Sequence, residues 1–159
     1  MKIAVVMDSF KGSMTSLEAG EAVKNGVKRA APDAEVVVKP IADGGEGTVD
    51  ALVCGMNGSY RQLRVTGPLG EKVDCTYGIL PDEQTAVMEM SAAAGLPLIP
   101  PSSRNPLYTT TRGVGEMILD AIEQGCRRFI IGIGGSATND GGVGMVQALG
   151  FDFLDRGGK

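Results

Sequence analysis

The sequence predicts an α/β fold, and three features carry that reading. Short β-branched apolar runs lead into segments with helical spacing, residues 60–90 alternate strands with tight turns, and a Gly-rich loop leaves a further apolar run near residue 132. Taken in order, Ile3 to Met7 is a continuous apolar run, the mark of a strand buried on both faces of a parallel sheet. The loop DSFKGSM follows. Thr15 and Glu18 then make a capping-box pattern, and Ala19, Ala22, Val23, Val27 and Ala30 recur at helical spacing until Pro32. Glu35 to Val38 supplies the next strand. After PIADGGEG, a stripe of Val49, Leu52, Val53 and Met56 predicts a second helix that stops at Gly58.

From Tyr60 to Met90 the texture changes. YRQLRVTG, KVDCTYGIL and TAVMEM read as successive strands, with turns at GPLG and PDEQ, in an antiparallel or mixed sheet. SAAAGLPLIPPSSRNP is a helical turn entering a Pro-rich connector, a candidate hinge. TTTRGVGEMILDAIEQG is a Thr-capped helix with Val114, Met117, Ile118, Ala121 and Ile122 on one face and a stop at Gly125. RRFIIGIGG is another buried strand, and FDFLDRGGK holds a short final one. The organisation expected is 1–58 as the first α/β part, 59–100 as a mixed or antiparallel sheet region, and 101–159 as helix, strand and Gly-rich loop, with the fold not yet closed at Lys159.

Composition narrows the chemistry. Across 159 residues, 43% are hydrophobic and 21% charged, which fits an ordinary globular chain rather than a disordered one. Histidine is absent, so proton transfer and metal binding fall to carboxylates, Lys, Tyr or Cys. A net charge of −4 without a basic cluster argues against nucleic acid as a partner. Cys54, Cys75 and Cys126 are odd in number and widely spaced, which predicts reduced core thiols. The apolar run at the N-terminus is broken by Asp8 and is too short for a signal peptide or membrane span, so a cytoplasmic protein is expected, with no membrane partner. Nothing in the pattern fixes an oligomeric state.

One motif occurs twice. DGGEGTVDAL at 43–52 and DGGVGMVQAL at 140–149 share an aspartate, two glycines and a helix start, each downstream of a predicted strand. Asp43 and Asp140 can be N-caps, and Glu46 can complete a capping box. Val143 stands where the first copy has Glu46, so the shared turn does not require that glutamate, which is either an added cap or a chemical group. GIGGSATNDGG at 132–142 sits where open α/β sheets place ligands. It lacks the Lys-Ser/Thr ending of a P-loop, and its Gly-x-Gly-x-x-Ala pattern is followed by too little chain for a dinucleotide unit. DSFKGS offers Asp8, Ser9 and Lys11, the lysine being either solvated or a point charge for an anion. Glu89 lies in an apolar run and is read as pointing to an exposed face. Arg104 is either a surface residue or a carboxylate clamp.

DSFKGSMTSLEA, PIADGGEGTVDAL, VTGPLG, EMSAAAGLPLIPP, RNPLYTTTRGVGE and IIGIGGSATNDGGVGMVQALG together resemble the N-terminal part of the bacterial glycerate kinases that contain no P-loop. The resemblance runs in register along nearly the whole chain. It implies transfer of the ATP γ-phosphoryl group, with Mg²⁺, to a hydroxyl of D-glycerate, usually giving 2-phosphoglycerate. It also implies two α/β domains, one Rossmann- or flavodoxin-like and one with a distinct mixed sheet, and an active site between them. Members are more than twice as long, so the chain is expected to be an N-terminal portion; the alternative is a non-catalytic scaffold or ligand-binding module. Under this resemblance Asp43 is the first candidate for base or metal-linked carboxylate, with Glu46 and Asp8 as rivals. Lys11 faces phosphate or the glycerate carboxylate. Ser9, Gly44, Gly45, Arg104, Gly134, Gly135, Ser136, Thr138, Asn139 and Asp140 are candidates for substrate or phosphate binding, and no metal ligand is assigned.

Overall fold

In the computed structural model, which describes residues 1–158, the first apolar run forms strand β1 (Lys2–Met7). It pairs in parallel with β2 (Glu35–Pro40), from Lys2 opposite Glu35 to Met7 opposite Pro40. Helix α1 (Ser16–Ala30) makes the crossover, and its capping box is formed: the Thr15 hydroxyl accepts from the Glu18 amide at 3.2 Å, and the Glu18 carboxylate accepts from the Thr15 amide at 2.8 Å. The expected packing is not what is observed. Ser16, Ala19 and Gly20 are the buried residues of α1, while Ala22 and Ala30 are exposed and Val23 is 40% exposed. The small residues let the helix lie close on the sheet, and this turns the valine stripe partly outward. β1 is likewise not buried on both faces. The sheet has two strands, each therefore an edge, and only Val5 of β1 is buried, with Val6 52% exposed.

Helix α2 (Thr48–Met56) starts after Gly47. It ends at Asn57, which takes the left-handed conformation at φ 57°, one residue before the glycine expected to stop it. Gly58 serves a different purpose: a Cβ there would lie 2.7 Å from the Ile79 carbonyl oxygen. Val49 and Val53 pack against Leu80 and Val87, so α2 touches the second sheet as well as β2.

That second sheet contains β3 (Ser59–Thr66), β4 (Lys72–Ile79), β5 (Thr85–Glu89) and β6 (Arg128–Gly132), in that spatial order. The first two pairings are antiparallel and β5–β6 is parallel, so the sheet is mixed, as the strand and turn pattern predicts. Helices α3 (Ser91–Ala94), α4 (Arg112–Glu123) and α5 (Val143–Ala148) complete the described elements, with three short 3₁₀ turns in the Pro-rich connector. The main core joins Val65, Tyr77 and Met88 of the sheet to Val114, Met117 and Ala121 of α4 and to Cys126. Cys75 is also buried, but Cys54 is exposed, with its sulfur 3.4 Å from the Tyr60 hydroxyl, so the core assignment holds for two thiols of three. β6 is an edge strand with Ile130 43% exposed, not a fully buried one. Residues 151–158 form neither strand nor helix, and Lys159 lies outside the described residues. Among the described residues no helix is long and apolar enough to cross a membrane.

Candidate active site

Three loops gather where parallel strands of both sheets end: 8–15 after β1, 41–47 after β2, and 133–142 after β6. Ligands of open α/β sheets sit at such carboxyl ends. The second and third loops meet backbone to backbone. The Gly134 amide donates to the Gly44 carbonyl at 3.1 Å. A Cβ on Gly132 would lie 2.5 Å from that same oxygen, and one on Gly134 would lie 2.7 Å from the Gly45 Cα. These glycines therefore seat one loop on the other. It also follows that the Gly134 amide, expected to donate to an anion, already has a partner.

Beside this contact lies an open cleft of about 470 Å³, lined by Lys11, Asp43, Gly44, Gly45, Glu46 and residues 131–135. A second cleft of about 480 Å³ shares Lys11 and Glu46 and continues along Ser9, Ser13 and Thr15 to Asp50. The Lys11 ammonium is 3.5 Å from an Asp43 oxygen, and both groups are largely exposed. The Gly45 amide, at 3.1 Å, and then Lys11 hold the Asp43 carboxyl below its ordinary value. Glu46 is exposed, and its side chain makes no hydrogen bond or ion pair with the described residues. The Ser9 hydroxyl is buried without a partner among the described residues, although the Ser9 amide donates to Asp8 at 2.7 Å.

The repeated motif explains why Glu46 is free. Asp43 accepts from the amide two residues on, and Asp140 does the same, each at 3.1 Å. The copies then diverge. α5 begins at Val143, the counterpart of Glu46, after a left-handed Gly142 at φ 81°, whereas α2 begins two alignment positions later, after a left-handed Gly47 at φ 92°. Glu46 is thus kept outside the helix and completes no capping box, nor is Asp43 the N-cap. The α2 N-terminus is met from the other sheet: Glu89 accepts from the Val49 amide at 2.9 Å. Burial pushes the Glu89 carboxyl up, against the opposing pull of the Val49 and Gly47 amides. The reading of Glu89 as an exposed residue is therefore corrected. Period-2 alternation set its side relative to Met88 and Met90, but gave no sign that a helix covers that side.

Asp140 is engaged elsewhere. It accepts from the Thr111 amide and hydroxyl, each at 2.8 Å, and from the Gly142 and Gly144 amides at 3.1 Å. Thr111 in turn accepts from the Met145 amide at 3.0 Å. Burial pushes the Asp140 carboxyl up, but these donors outweigh it and hold it below its ordinary value. Its donors come from the starts of α4 and α5, which leaves little capacity for a ligand. Thr111 likewise serves α5 rather than capping its own helix. Ser136, Thr138 and Asn139 line a separate cavity with Asp140, and the Ser136 and Thr138 hydroxyls bond each other at 2.9 Å. Arg104 donates to the Ile99 carbonyl at 3.3 Å and lines neither cleft. Of the candidates, Lys11, Asp43, Gly44, Gly45, Glu46, Gly134 and Gly135 are brought together, and Ser9 borders the adjoining cleft.

The family model for the glycerate kinase family matches residues 3–159. The chain belongs to the glycerate kinase family. It is 53% identical over 159 residues to the glycerate 2-kinase of Escherichia coli (strain K12), covering 100% of this chain and 42% of that protein. To the glycerate kinase of Bacillus subtilis (strain 168) it is 56% identical over 159 residues, with the same coverage of 100% and 42%. A crystal structure named for glycerate kinase 2 of Salmonella typhimurium LT2 superposes with a TM-score of 0.87 at 49% identity, over 99% of this chain and 42% of that one. The chain thus spans about two-fifths of the length of these glycerate kinases.

Within this chain, no cluster of three or more Cys, Asp or Glu side chains poised for a metal occurs among the described residues. Asp43 and Glu46 on the cleft fit the mode in which Mg²⁺ takes one or two carboxylates and completes its shell with phosphate and water.

Proposed function

We propose that the Lys11–Asp43–Glu46 cleft belongs to the active site of a kinase that moves the γ-phosphoryl group of ATP to a hydroxyl of D-glycerate, giving 2-phosphoglycerate. The observation that carries this reading is the convergence of one cation, two carboxylates and a Gly-rich loop on a single cleft at the ends of parallel strands. Phosphoryl transfer rests on positioning and charge compensation, and neither requires histidine.

The residues divide the work by their surroundings. Lys11 supplies a mobile positive charge for a phosphate or for the glycerate carboxylate. Asp43, held ionised by Gly45 and Lys11, is a weak base and a good partner for a cation. Glu46 has no partner and is the better acceptor for the glycerate hydroxyl proton, which reverses the order the sequence suggested. The hydroxyl oxygen bonds to the γ-phosphorus, the bond from that phosphorus to the bridging oxygen of ADP breaks, and the proton passes to Glu46. Mg²⁺, when bound, would screen the phosphate oxygens, with Asp43 as the carboxylate available to hold it and phosphate and water completing its shell. The unpartnered Ser9 hydroxyl suits a polar ligand in the adjoining cleft.

The test is ATP-dependent phosphorylation of D-glycerate, with product position read by NMR. It is run on the chain alone and on the chain joined to the segment its relatives carry beyond the matched region. Turnover is expected in the active form, and E46Q should lower kcat by about 10²-fold, the lower end of what a positioned proton acceptor contributes. Full turnover in E46Q with retained fold would remove Glu46 from the chemistry.

A further inference from the structure

β5 ends at Glu89, and its in-register neighbour on β6 is Gly132. Both residues address the same stretch of the first α/β part. Gly132 leaves room for the Gly44 carbonyl, and Glu89 accepts from the first-turn amide of Val49 at 2.9 Å. The α2 N-cap, Gly47, has no side chain with which to cap the helix. Asp43 is already bonded to the Gly45 amide, and Glu46 makes no bond. The carboxylate that satisfies the helix start therefore arrives from the other sheet.

We propose that Glu89 is a positioning residue: by capping α2 from the end of β5, it fixes the 43–47 loop against the four-stranded sheet and so aims Glu46 into the cleft. A cap supplied by the loop itself would satisfy the same amide but add nothing to the Gly134–Gly44 bond that already joins the loop to the second sheet. Glu89 instead links the loop to the sheet that carries Gly134 and Gly135. The cavity of about 300 Å³ beside Glu89 is also lined by Glu46, Asp50, Asp74, Tyr60 and Cys75, and by no Lys or Arg. An ionised carboxylate in such surroundings is held by backbone donors.

This inference rests on the kinase reading above, and its test separates the two. E89A and E89D are compared with the wild type in the active form found by the phosphorylation assay, and amide hydrogen exchange at Val49 is followed in the chain itself. The expected result is a fall in kcat of about 10²-fold, as for a reacting group displaced by about 1 Å. KM for ATP should change by less than about threefold, thermal midpoints should stay above the assay temperature, and the Val49 amide should lose its protection. Full kcat with retained protection in both variants overturns the proposal. So does a kcat loss that merely follows the fraction unfolded. If the wild type shows no turnover, the kinase reading falls, and Val49 exchange alone decides the anchoring: lost protection supports it, and retained protection overturns it.

Discussion

Asp120 shows how much one carboxylate can organise. It accepts from Arg61 at 2.9 and 3.2 Å and from the Tyr77 hydroxyl at 2.8 Å, joining β3 and β4 to α4. Tyr77 is fully buried, so removing its partner leaves an unsatisfied hydroxyl in the core. D120A should cost about 3 kcal/mol and Y77F about 1 kcal/mol in denaturant unfolding, the asymmetry arising because Y77F strands no buried group. Acid stability follows from the same chemistry. Arg61 holds the Asp120 carboxyl below its ordinary value, while in Glu116 and Asp140 burial is outweighed by hydrogen bonds from Thr66 and from Thr111 respectively. With folded values below unfolded ones, the unfolded chain takes up protons first as pH falls. The stability these groups contribute is therefore present above the ordinary carboxylate range and is lost as pH drops through their lowered values. Thermal midpoints measured against pH should fall steeply on the acid side, and D140N should flatten that slope while lowering the midpoint at neutral pH.

The elements respond to substitution according to what their glycines face. Gly26 in α1 has open space where a Cβ would stand, so G26A should stabilise by about 1 kcal/mol through helix propensity. G134A should push the two Gly-rich loops apart and destabilise, and thermal denaturation of the pair checks both signs. Most elements could be read from the sequence because their signals are local: the Thr15–Glu18 box, the strand-and-turn alternation from 60 to 90, and the apolar face of α4 all depend on near neighbours. What could not be read depends on distant partners. The DGG repeat predicts two similar turns, and the Asp-to-amide bond is indeed shared, but the helix starts differ because the left-handed N-cap glycine is Gly142, the third residue of the motif, in one copy and Gly47, the fifth, in the other. Glu89, read as exposed, meets the start of α2, and Asp140 meets the start of α4 as well as that of its own α5. Which helix start a carboxylate meets is set by the meeting of two sheets, and no spacing along the chain records it. The resemblance groups Lys11, Asp43 and Glu46 as site candidates, and one cleft is lined by all three, whereas Ser136, Thr138, Asn139 and Asp140 line a separate cavity.

At the scale of the whole molecule the two sheets are unequal. β1 and β2 form a parallel pair with α1 packed through small residues, while β4 and β5 lie in a core that includes Tyr77, Met88 and Met117. Parallel sheets are normally buried on both faces, and local stability follows buried apolar contact. Native-state hydrogen exchange should therefore show β1 and β2 opening at lower free energy than β4 and β5; equal protection of all four strands would contradict this. The seam between Gly44 and Gly134 joins the two halves without a side chain. A joint of this kind has no rotamers to repack, so movement at that point is absorbed as glycine torsion, while Glu89 and the Val49–Val53 face of α2 hold the same halves together through side chains. Two kinds of substitution should therefore change how far the cleft opens, a Cβ at Gly134 that wedges the backbone seam and the loss of the Glu89 carboxylate that clasps it from the side.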